Sequence, residues 1–210
     1  MSPHLSSVPP VLRADAREQL RQATASLHEQ VDATMPLARE GADLADYARH
    51  LALLRAWVDI LRRRVPGISP RLAQEAAALD VDLRECRRLL GPGAPEAPAP
   101  DQSEGLHEPA RQDADDEALA WGVRYVLEGS RLGGQVLYRR LENALAPHPL
   151  AYLRGAGPAT GAGWRMFLAD LRNALDTPAR VRRACEGAAM AFGLLLQCGG
   201  GLAGSGKSAS

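Results

Sequence analysis

The sequence predicts an all-α protein with a single domain. Alanine, leucine, arginine and glutamate, all good helix formers, dominate the chain, and apolar residues recur at a spacing of three to four. Alternating β-branched runs, which would indicate strands, are absent from the sequence. A chain of 210 residues is long enough for one substantial core and too short for two comfortable ones.

The first part of the chain is predicted to contain three helices. Their predicted bounds are about 14–33, 43–65 and 69–90. The first ends at Met35-Pro36 and the second at Pro66-Gly67, because proline cannot continue a helix. The third begins at Ser69-Pro70, a capping residue followed by proline at the first helical position.

The second part of the chain is also predicted to be helical, after a long connection. Residues 91–113 are rich in proline, glycine, alanine and acidic residues, which indicates a mobile surface loop. The predicted elements that follow are a helical stretch over 115–145, interrupted at 128–134, a connection over 147–158 with one short turn, and helices over 163–175 and 178–198. With a disordered leader (1–13) and a flexible tail (199–210), the domain is expected to cover 14–198.

Composition excludes several functional classes. The 25 basic residues equal the 25 acidic ones, so no overall field favours a nucleic-acid partner. Three widely separated cysteines without a CxxC pair indicate neither a disulfide framework nor a zinc site. The N-terminus lacks a signal-peptide pattern, and the most apolar stretch, 188–196, is too short to span a bilayer. We therefore expect a cytoplasmic protein with no membrane segment.

The first predicted helix carries a candidate ligand group. Arg21 and His28 are seven residues apart, so they share nearly one azimuth at about 10 Å separation along the helix axis. Asp32, one turn beyond His28, is placed to accept a hydrogen bond from one imidazole nitrogen and to turn the other towards a metal. The alternative is a surface histidine beside an ordinary i,i+4 carboxylate, and the spacing by itself favours that alternative.

A second candidate segment contains three glycines within an otherwise helical pattern. Gly129, Gly133 and Gly134 each cost a helix about 0.5–1 kcal/mol relative to alanine. Such a group indicates a bend, or a place where the backbone approaches something flat and bulky. A loop between two helices, or close helix–helix packing, would explain the same glycines, and periodicity leaves these alternatives open.

Taken together, the two segments resemble the haem oxygenase family. Residues 20–32 are similar to the family's first helix, in which leucine, a basic residue and alanine-threonine precede the haem-ligating histidine. Residues 125–137 resemble its distal helix, whose glycine-rich bend ends in Gly-Gly-Gln. A looser resemblance covers 164–192, and in total the likeness spans most of 14–196. It implies a helical bundle that holds haem between the first helix and a glycine-bent distal helix.

The resemblance also implies roles for residues of the first helix. His28 becomes the proximal iron ligand, Arg21 the partner of a haem propionate and Asp32 the support of the histidine. Thr24 belongs to the same pattern and becomes a haem contact. The candidates for the contact with the second propionate are Arg124, Tyr125, Arg165 and Arg172.

On the distal side, Gly129, Gly133 and Gly134 become backbone that lies close over the haem, where no side chain fits. Many family members carry an aspartate in this bend that organises waters for proton delivery, whereas this chain has Ser130. Ser130 would hold a water, with Glu128 and Arg131 facing solvent. Glu128-Gly129-Ser130 also resembles a bacterial subgroup that is associated with phytochromes.

The implied reaction converts haem, O₂ and reducing equivalents to biliverdin, ferrous iron and carbon monoxide. Haem b, with its iron, is both cofactor and substrate, and the protein supplies pocket, ligation and proton delivery. The implied partners are an electron donor such as a ferredoxin or a reductase, which could dock at Arg62-Arg63-Arg64, and a phytochrome that receives the bilin. The alternatives are a non-enzymatic haem-binding or carrier protein on the same fold and, more distantly, a helical interaction module without a cofactor.

Other motifs are interpreted as incidental. The phosphate-loop pattern at 201–208 follows a helix at the chain end, where no strand can precede it. Glu104 and His107 lie in the proline-rich stretch and not on a helix. His4, His50 and His148 are expected at the surface or in local caps.

Overall fold

A computed structural model describes residues 16–93 and 114–204, and the regular elements in these ranges are all helical. The α-helices are α1 (Ala16–Thr34), α2 (Leu44–Arg64), α3 (Ser69–Leu90), α4 (Ala114–Leu141), α5 (Ala151–Arg154), α6 (Thr160–Ala174) and α7 (Pro178–Gly204). Short 3-10 turns occur at Pro36–Ala38, Pro66–Ile68, Gly91–Gly93 and Gly157–Ala159. No strand occurs in the described residues, and the predicted all-α class is confirmed.

Local sequence signals explain where α2 and α3 begin. The Asp43 side chain accepts a hydrogen bond from the Asp46 backbone N–H at 2.8 Å, and Asp46 accepts one from the Asp43 backbone at 3.1 Å. This reciprocal pair is a capping box, which satisfies two backbone donors at the start of α2. Proline at the start of α3 has a backbone angle suited to the first helical turn. The predicted cap at Ser69 was wrong, because Ser69 is itself the first helical residue and its hydroxyl donates to the Arg62 carbonyl at 3.4 Å.

The structure differs from the sequence predictions along α4, α6 and α7. α4 runs without a break through 128–134, so the predicted interruption is absent. Glycine costs only about 1 kcal/mol in a helix, an amount that tertiary contacts readily offset. α6 begins at Thr160 rather than 163, and α7 continues past the predicted end at Cys198 to Gly204. The predicted leader over 1–13 and most of the predicted loop over 91–113 lie outside the described residues.

Helix α7 lies at the centre of the bundle and packs against α1, α2 and α4. His28 contacts Phe192, and a Cβ atom on Gly199 would lie 3.4 Å from Met35 Cε, at van der Waals distance. In both pairs the two residues are separated by the same number of positions along the chain. The contacts therefore advance in the same direction along both segments, which means that α1 and α7 run parallel. The Trp57 indole N–H donates to the Ala191 carbonyl at 2.8 Å, which ties α2 to the same helix.

The crossing of α4 and α7 depends on two glycines. A Cβ atom on Gly122 would lie 1.8 Å from the Ala184 carbonyl oxygen, and one on Gly187 would lie 2.2 Å from that of Leu119. Real Cβ atoms do not approach other atoms this closely, so the two helices are in backbone contact here. The sequence analysis did not single out either glycine.

Two histidines that were expected at the surface are buried. His148 is 3% exposed; its Nδ1 accepts from the Leu150 backbone N–H at 3.0 Å, and its Nε2 lies 3.4 Å from Cys86 Sγ. His50 is 7% exposed, on the packed face of α2. A surface position was wrong for both, because α2 buries most of its circumference and the 147–158 connection folds onto α3. The expected alternative, a local cap, fits His148, which accepts from the backbone N–H of Leu150 at the start of α5. His4 lies outside the described residues.

Each of the described helices is too short or too polar to cross a bilayer.

Candidate functional site

His28 presents an exposed but oriented imidazole on α1. Its Nδ1 lies 2.9 Å from Asp32 Oδ2, the hydrogen bond that the i,i+4 spacing predicts, and its side chain is 62% exposed. The ring also meets the Phe192 ring at 61°, with centroids 5.8 Å apart. When Nδ1 donates to the carboxylate, Nε2 carries the lone pair. The ring is therefore held by two neighbours while Nε2 is available as a metal ligand.

Arg21, two turns before His28, forms a bidentate ion pair with Glu18. Arg21 Nε donates to Glu18 Oε2 at 2.9 Å and Nη2 donates to Oε1 at 2.6 Å. The guanidinium hydrogen bond holds the pKa of the Glu18 carboxyl down to about 2. Arg21 is thus a fixed, ionised donor, and its Nη1 group is not used by this pair.

Tyr125 of α4 is electrostatically linked to the same part of α1. Burial raises the pKa of its phenol, and the positive charges of Arg17 and Arg21 act in the opposite direction. The Tyr125 ring also lies 5.6 Å, centroid to centroid, from that of Trp164 on α6. Two guanidinium groups of α1 are therefore near enough to the phenol of α4 to act on it electrostatically, and both kinds of group can donate hydrogen bonds to carboxylates.

Thr24 lies on the packed side of α1. It is buried, and its hydroxyl donates to the Leu20 carbonyl one turn earlier at 2.8 Å. The hydrogen-bond donor of this side chain is therefore satisfied within the helix.

Gly129 and Gly133 form an open face on α4. Being four residues apart, they share an azimuth with Tyr125, one turn earlier. A Cβ atom on either glycine would meet no atom within 4 Å. No other group of the described chain occupies the 4 Å around these two positions, so a flat ligand can approach the backbone there. Gly134 points elsewhere, since its Cβ would lie 3.4 Å from the Leu153 carbonyl oxygen near α5.

Ser130 and Gly134 line a different depression. It has a volume of about 530 Å³, and α3, α5 and the start of α6 supply its other walls. The Ser130 hydroxyl donates to the Leu127 carbonyl at 2.8 Å. The lining includes neither His28 nor the two open-face glycines, so Ser130 lies beside the open glycine face of α4 and lines a separate depression.

Glu128 does not face solvent as expected, whereas Arg131 is exposed as expected and ion-paired at the same time. Glu128 is 8% exposed, and its carboxylate pairs with Arg71 of α3. Arg131 Nη2 donates to Glu75 Oε2 at 2.6 Å. Both partners are remote in sequence, so helical spacing within α4 could not indicate them.

The four candidates for the second propionate contact lie in different surroundings. Tyr125 is the one electrostatically linked to Arg21. The Arg124 guanidinium lies over the Trp121 ring at 3.9 Å, and its Nε is buried without a hydrogen-bond partner in the described chain. Burial lowers the pKa of Arg124. Arg165 is exposed on α6, and Arg172 Nε donates to the Leu168 carbonyl at 3.1 Å.

The sequence analysis missed three residues at this site. Glu18 could have been found from its i,i+3 spacing to Arg21, which places the two side chains on one face of a helix. Arg17 and Phe192 carry no local signal, because their relation to Tyr125 and His28 depends on helix packing.

The residues present fit a haem group. His28 offers one free imidazole nitrogen, the Gly129–Gly133 face admits a flat ring, and Arg17, Arg21 and Tyr125 can bind carboxylates. No group of three or more His, Cys, Asp or Glu side chains that could hold a metal ion occurs in the described residues. A metal at His28 would therefore need most of its ligands from elsewhere, as a porphyrin provides.

Fold and site together define an all-α protein with an oriented histidine on one helix and bare backbone on another. The family model described as Heme oxygenase matches residues 14–198. A protein named heme oxygenase from Xanthomonas campestris pv. campestris (strain 8004) is 37% identical over 140 residues, which are 65% of this chain and 67% of that protein. The chain belongs to the haem oxygenase family. The predicted family is confirmed; the phytochrome-associated subgroup stays a prediction.

Proposed function

We propose that this protein opens haem b with O₂ and reducing equivalents to biliverdin, ferrous iron and carbon monoxide. The observation that carries the proposal is an imidazole oriented by Asp32 and Phe192 in a member of the haem oxygenase family. Haem is the substrate, and when bound it supplies the iron that activates O₂.

The residues of α1 bind and orient the substrate in this proposal. His28 Nε2 ligates the iron, and Asp32 keeps the proton on Nδ1 and strengthens the ligand. Arg21 binds one propionate, aided by Arg17 and Tyr125, which are near enough to influence each other electrostatically. Arg124, with its buried unpaired Nε, is a further donor for a carboxylate.

The residues of α4 control the distal side. Gly129 and Gly133 leave room above the substrate because they place only backbone on their face. Ser130 uses its proton in a bond to the Leu127 carbonyl, so its hydroxyl oxygen is left to accept a hydrogen bond from a water. Ser130 would thus hold water as an acceptor, a weaker arrangement than an ionised carboxylate.

The electron donor is proposed to be a ferredoxin or a reductase. Arg62, Arg63 and Arg64 are exposed at the end of α2 and offer a basic surface to an acidic donor. We propose a cytoplasmic location because the three widely separated cysteines indicate no disulfide framework. We propose a phytochrome as recipient of the bilin on the resemblance of Glu128-Gly129-Ser130 alone.

A haem carrier is the second candidate function. The observation that favours it is the position of Ser130, whose hydroxyl is committed to the Leu127 carbonyl and lines a depression away from His28. A protein without distal proton delivery would bind haem and leave it intact.

The test is an absorption time course of the haem complex with ascorbate or reduced ferredoxin in air. We expect the Soret band to fall while a biliverdin spectrum appears, and His28→Ala to abolish this change. Asp32→Asn should weaken haem binding by about tenfold, the lower end for a residue that supports a metal ligand, because both side chains are exposed. Gln30→Ala, also exposed on α1, is the matched control.

Two other outcomes of the time course would contradict the proposed enzyme activity. A Soret band that persists through reduction and oxygenation would support the carrier. Absence of any Soret shift that depends on His28 would refute both haem functions.

A further inference from the structure

The glycine segment of α4 lacks the apolar anchoring of the rest of the helix. In the first half of α4, Val123, Val126 and Leu127 are buried in the core. None of the residues 129–140 is buried, and the next buried side chain is that of Leu141. Leu137 and Tyr138 are partly buried against the core near the end of this stretch, so apolar burial is weak over 129–136 and contributes again from 137.

Two polar side chains tether the segment from one side. Arg131 and Gln135 are four residues apart and share an azimuth about 200° from that of Gly129 and Gly133. Arg131 Nη2 donates to Glu75 Oε2 at 2.6 Å. The Gln135 side-chain amide nitrogen donates to the Arg154 carbonyl oxygen. The same nitrogen lies 3.5 Å from the Leu153 carbonyl oxygen. The tethers are thus directly opposite the open glycine face.

The anchor of the Arg131 tether is a buried carboxylate. Glu75 is 6% exposed, and its other oxygen accepts a hydrogen bond from the Tyr152 hydroxyl at 2.8 Å. Asp82, which is fully buried, accepts from the Tyr152 backbone N–H at 2.9 Å and from the Tyr47 hydroxyl at 2.6 Å. Hydrogen-bonded groups of this kind have little freedom to move, because each bond lost would leave a buried polar atom unsatisfied.

Glu128 adds a further tie at the start of the segment. Its buried carboxylate pairs with Arg71 of α3, and its second oxygen lies 3.5 Å from Arg131 Nη1. Two carboxylates and two guanidinium groups thus join α3 to α4 on the side away from the open face.

We propose that Arg131 and Gln135 are positioning residues, which set the height and rotation of the Gly129–Gly133 face over the haem by holding α4 from behind. The effect of this positioning on the reaction rests on the proposed function, in which the glycine face limits which edge of the macrocycle is attacked. Glu75 is the anchor of the arrangement, and neither tether touches the haem.

The test compares the variant Arg131→Met/Glu75→Gln with Arg139→Met, which removes an exposed arginine from the same helix. The double variant removes both charges at once, so no unpaired charge is left buried if it folds. Gln135→Leu tests the second tether independently. Arg131→Lys keeps the charge and should restore the wild-type behaviour in part.

Three measurements separate positioning from a general loss of structure. In the haem-free protein, hydrogen exchange of residues 129–140 should become about tenfold faster in the double variant, with α1 unchanged. The carbon monoxide complex of the reduced haem protein should show a broadened or split C–O stretching band, because this probe senses the distal side. The wavelength of the Soret maximum should stay as in wild type, because the ligand histidine is on α1. For the same reason the haem affinity should stay within about twofold of wild type.

The mixture of biliverdin isomers provides the functional measurement. We expect the double variant to yield a broader mixture than wild type and Arg139→Met. Unchanged hydrogen exchange together with an unchanged C–O band would overturn the proposal. If wild type binds haem without degrading it, the proposed enzyme activity fails, and the exchange and C–O measurements still decide the positioning role.

Discussion

His28 and His50 show how surroundings separate two histidines of one chain. His28 is exposed, with Nδ1 bonded to Asp32, and is available to a ligand. His50 is buried on α2, and its Nδ1 has no hydrogen-bond partner in the described chain. Burial alone lowers the pKa of His50 to about 4, because the charged imidazolium is poorly solvated there.

This burial predicts a pH dependence of stability. The folded-state pKa of His50 lies below the unfolded value of 6.5, so the unfolded chain binds the proton first as the pH falls. The neutral histidine makes its full contribution to the free energy of unfolding above pH 6.5. This contribution is lost between pH 6.5 and about pH 4, by roughly 3 kcal/mol in total. Urea unfolding across this range should show the loss in wild type and a smaller one in His50→Leu. Parallel pH profiles for the two proteins would contradict the prediction.

At the scale of the helices, glycine has two different uses in α4 and α7. Gly122 and Gly187 allow the two backbones to touch. Gly129 and Gly133 leave a face open, and Gly193 has open space beside it without any assigned role. The same residue type in the same kind of helix therefore has consequences that only its neighbours distinguish.

Alanine substitutions on α7 should separate these uses. Gly187→Ala should lower the free energy of unfolding by about 2 kcal/mol or more, because its Cβ would collide with the Leu119 backbone. Gly193→Ala has space for its Cβ and should raise the free energy of unfolding by about 0.5–1 kcal/mol through helix propensity. Urea denaturation measures both. Equal effects at the two positions would show that α4 and α7 do not cross in backbone contact.

On the scale of the whole molecule, the helices that carry the proposed haem contacts share one support. α1 and α4 both pack on α7, and α2 packs on α7 from another side. A ligand held between α1 and α4 would therefore stabilise the central contacts of the bundle, and not only one helix.

Haem binding is accordingly expected to raise the melting temperature of the protein. At a free haem concentration of one hundred times Kd, binding adds about 2.7 kcal/mol to the free energy of unfolding. For a chain of this size that corresponds to an increase in Tm of roughly 5–10 °C. Scanning calorimetry with and without haem measures the shift, and His28→Ala should show little of it. An equal shift in that variant would mean that haem binds without the histidine.

Features that depend on near neighbours in the chain were predictable from the sequence. The His28–Asp32 hydrogen bond, the cap at Asp43 and the start of α3 at Ser69 follow from spacings that helix geometry makes invariant. The resemblance to haem oxygenases, which rests on two short segments, also held for the family as a whole.

What the sequence by itself determined is the all-α class, most helix bounds and the family. Only the tertiary structure decided that Phe192 supports His28, that α4 is continuous, and that Glu75 and Arg71 hold Arg131 and Glu128. The physical reason is that helical periodicity relates residues within a turn or two. A contact between distant segments depends on how whole helices pack, and the spacing along any one of them does not contain that information.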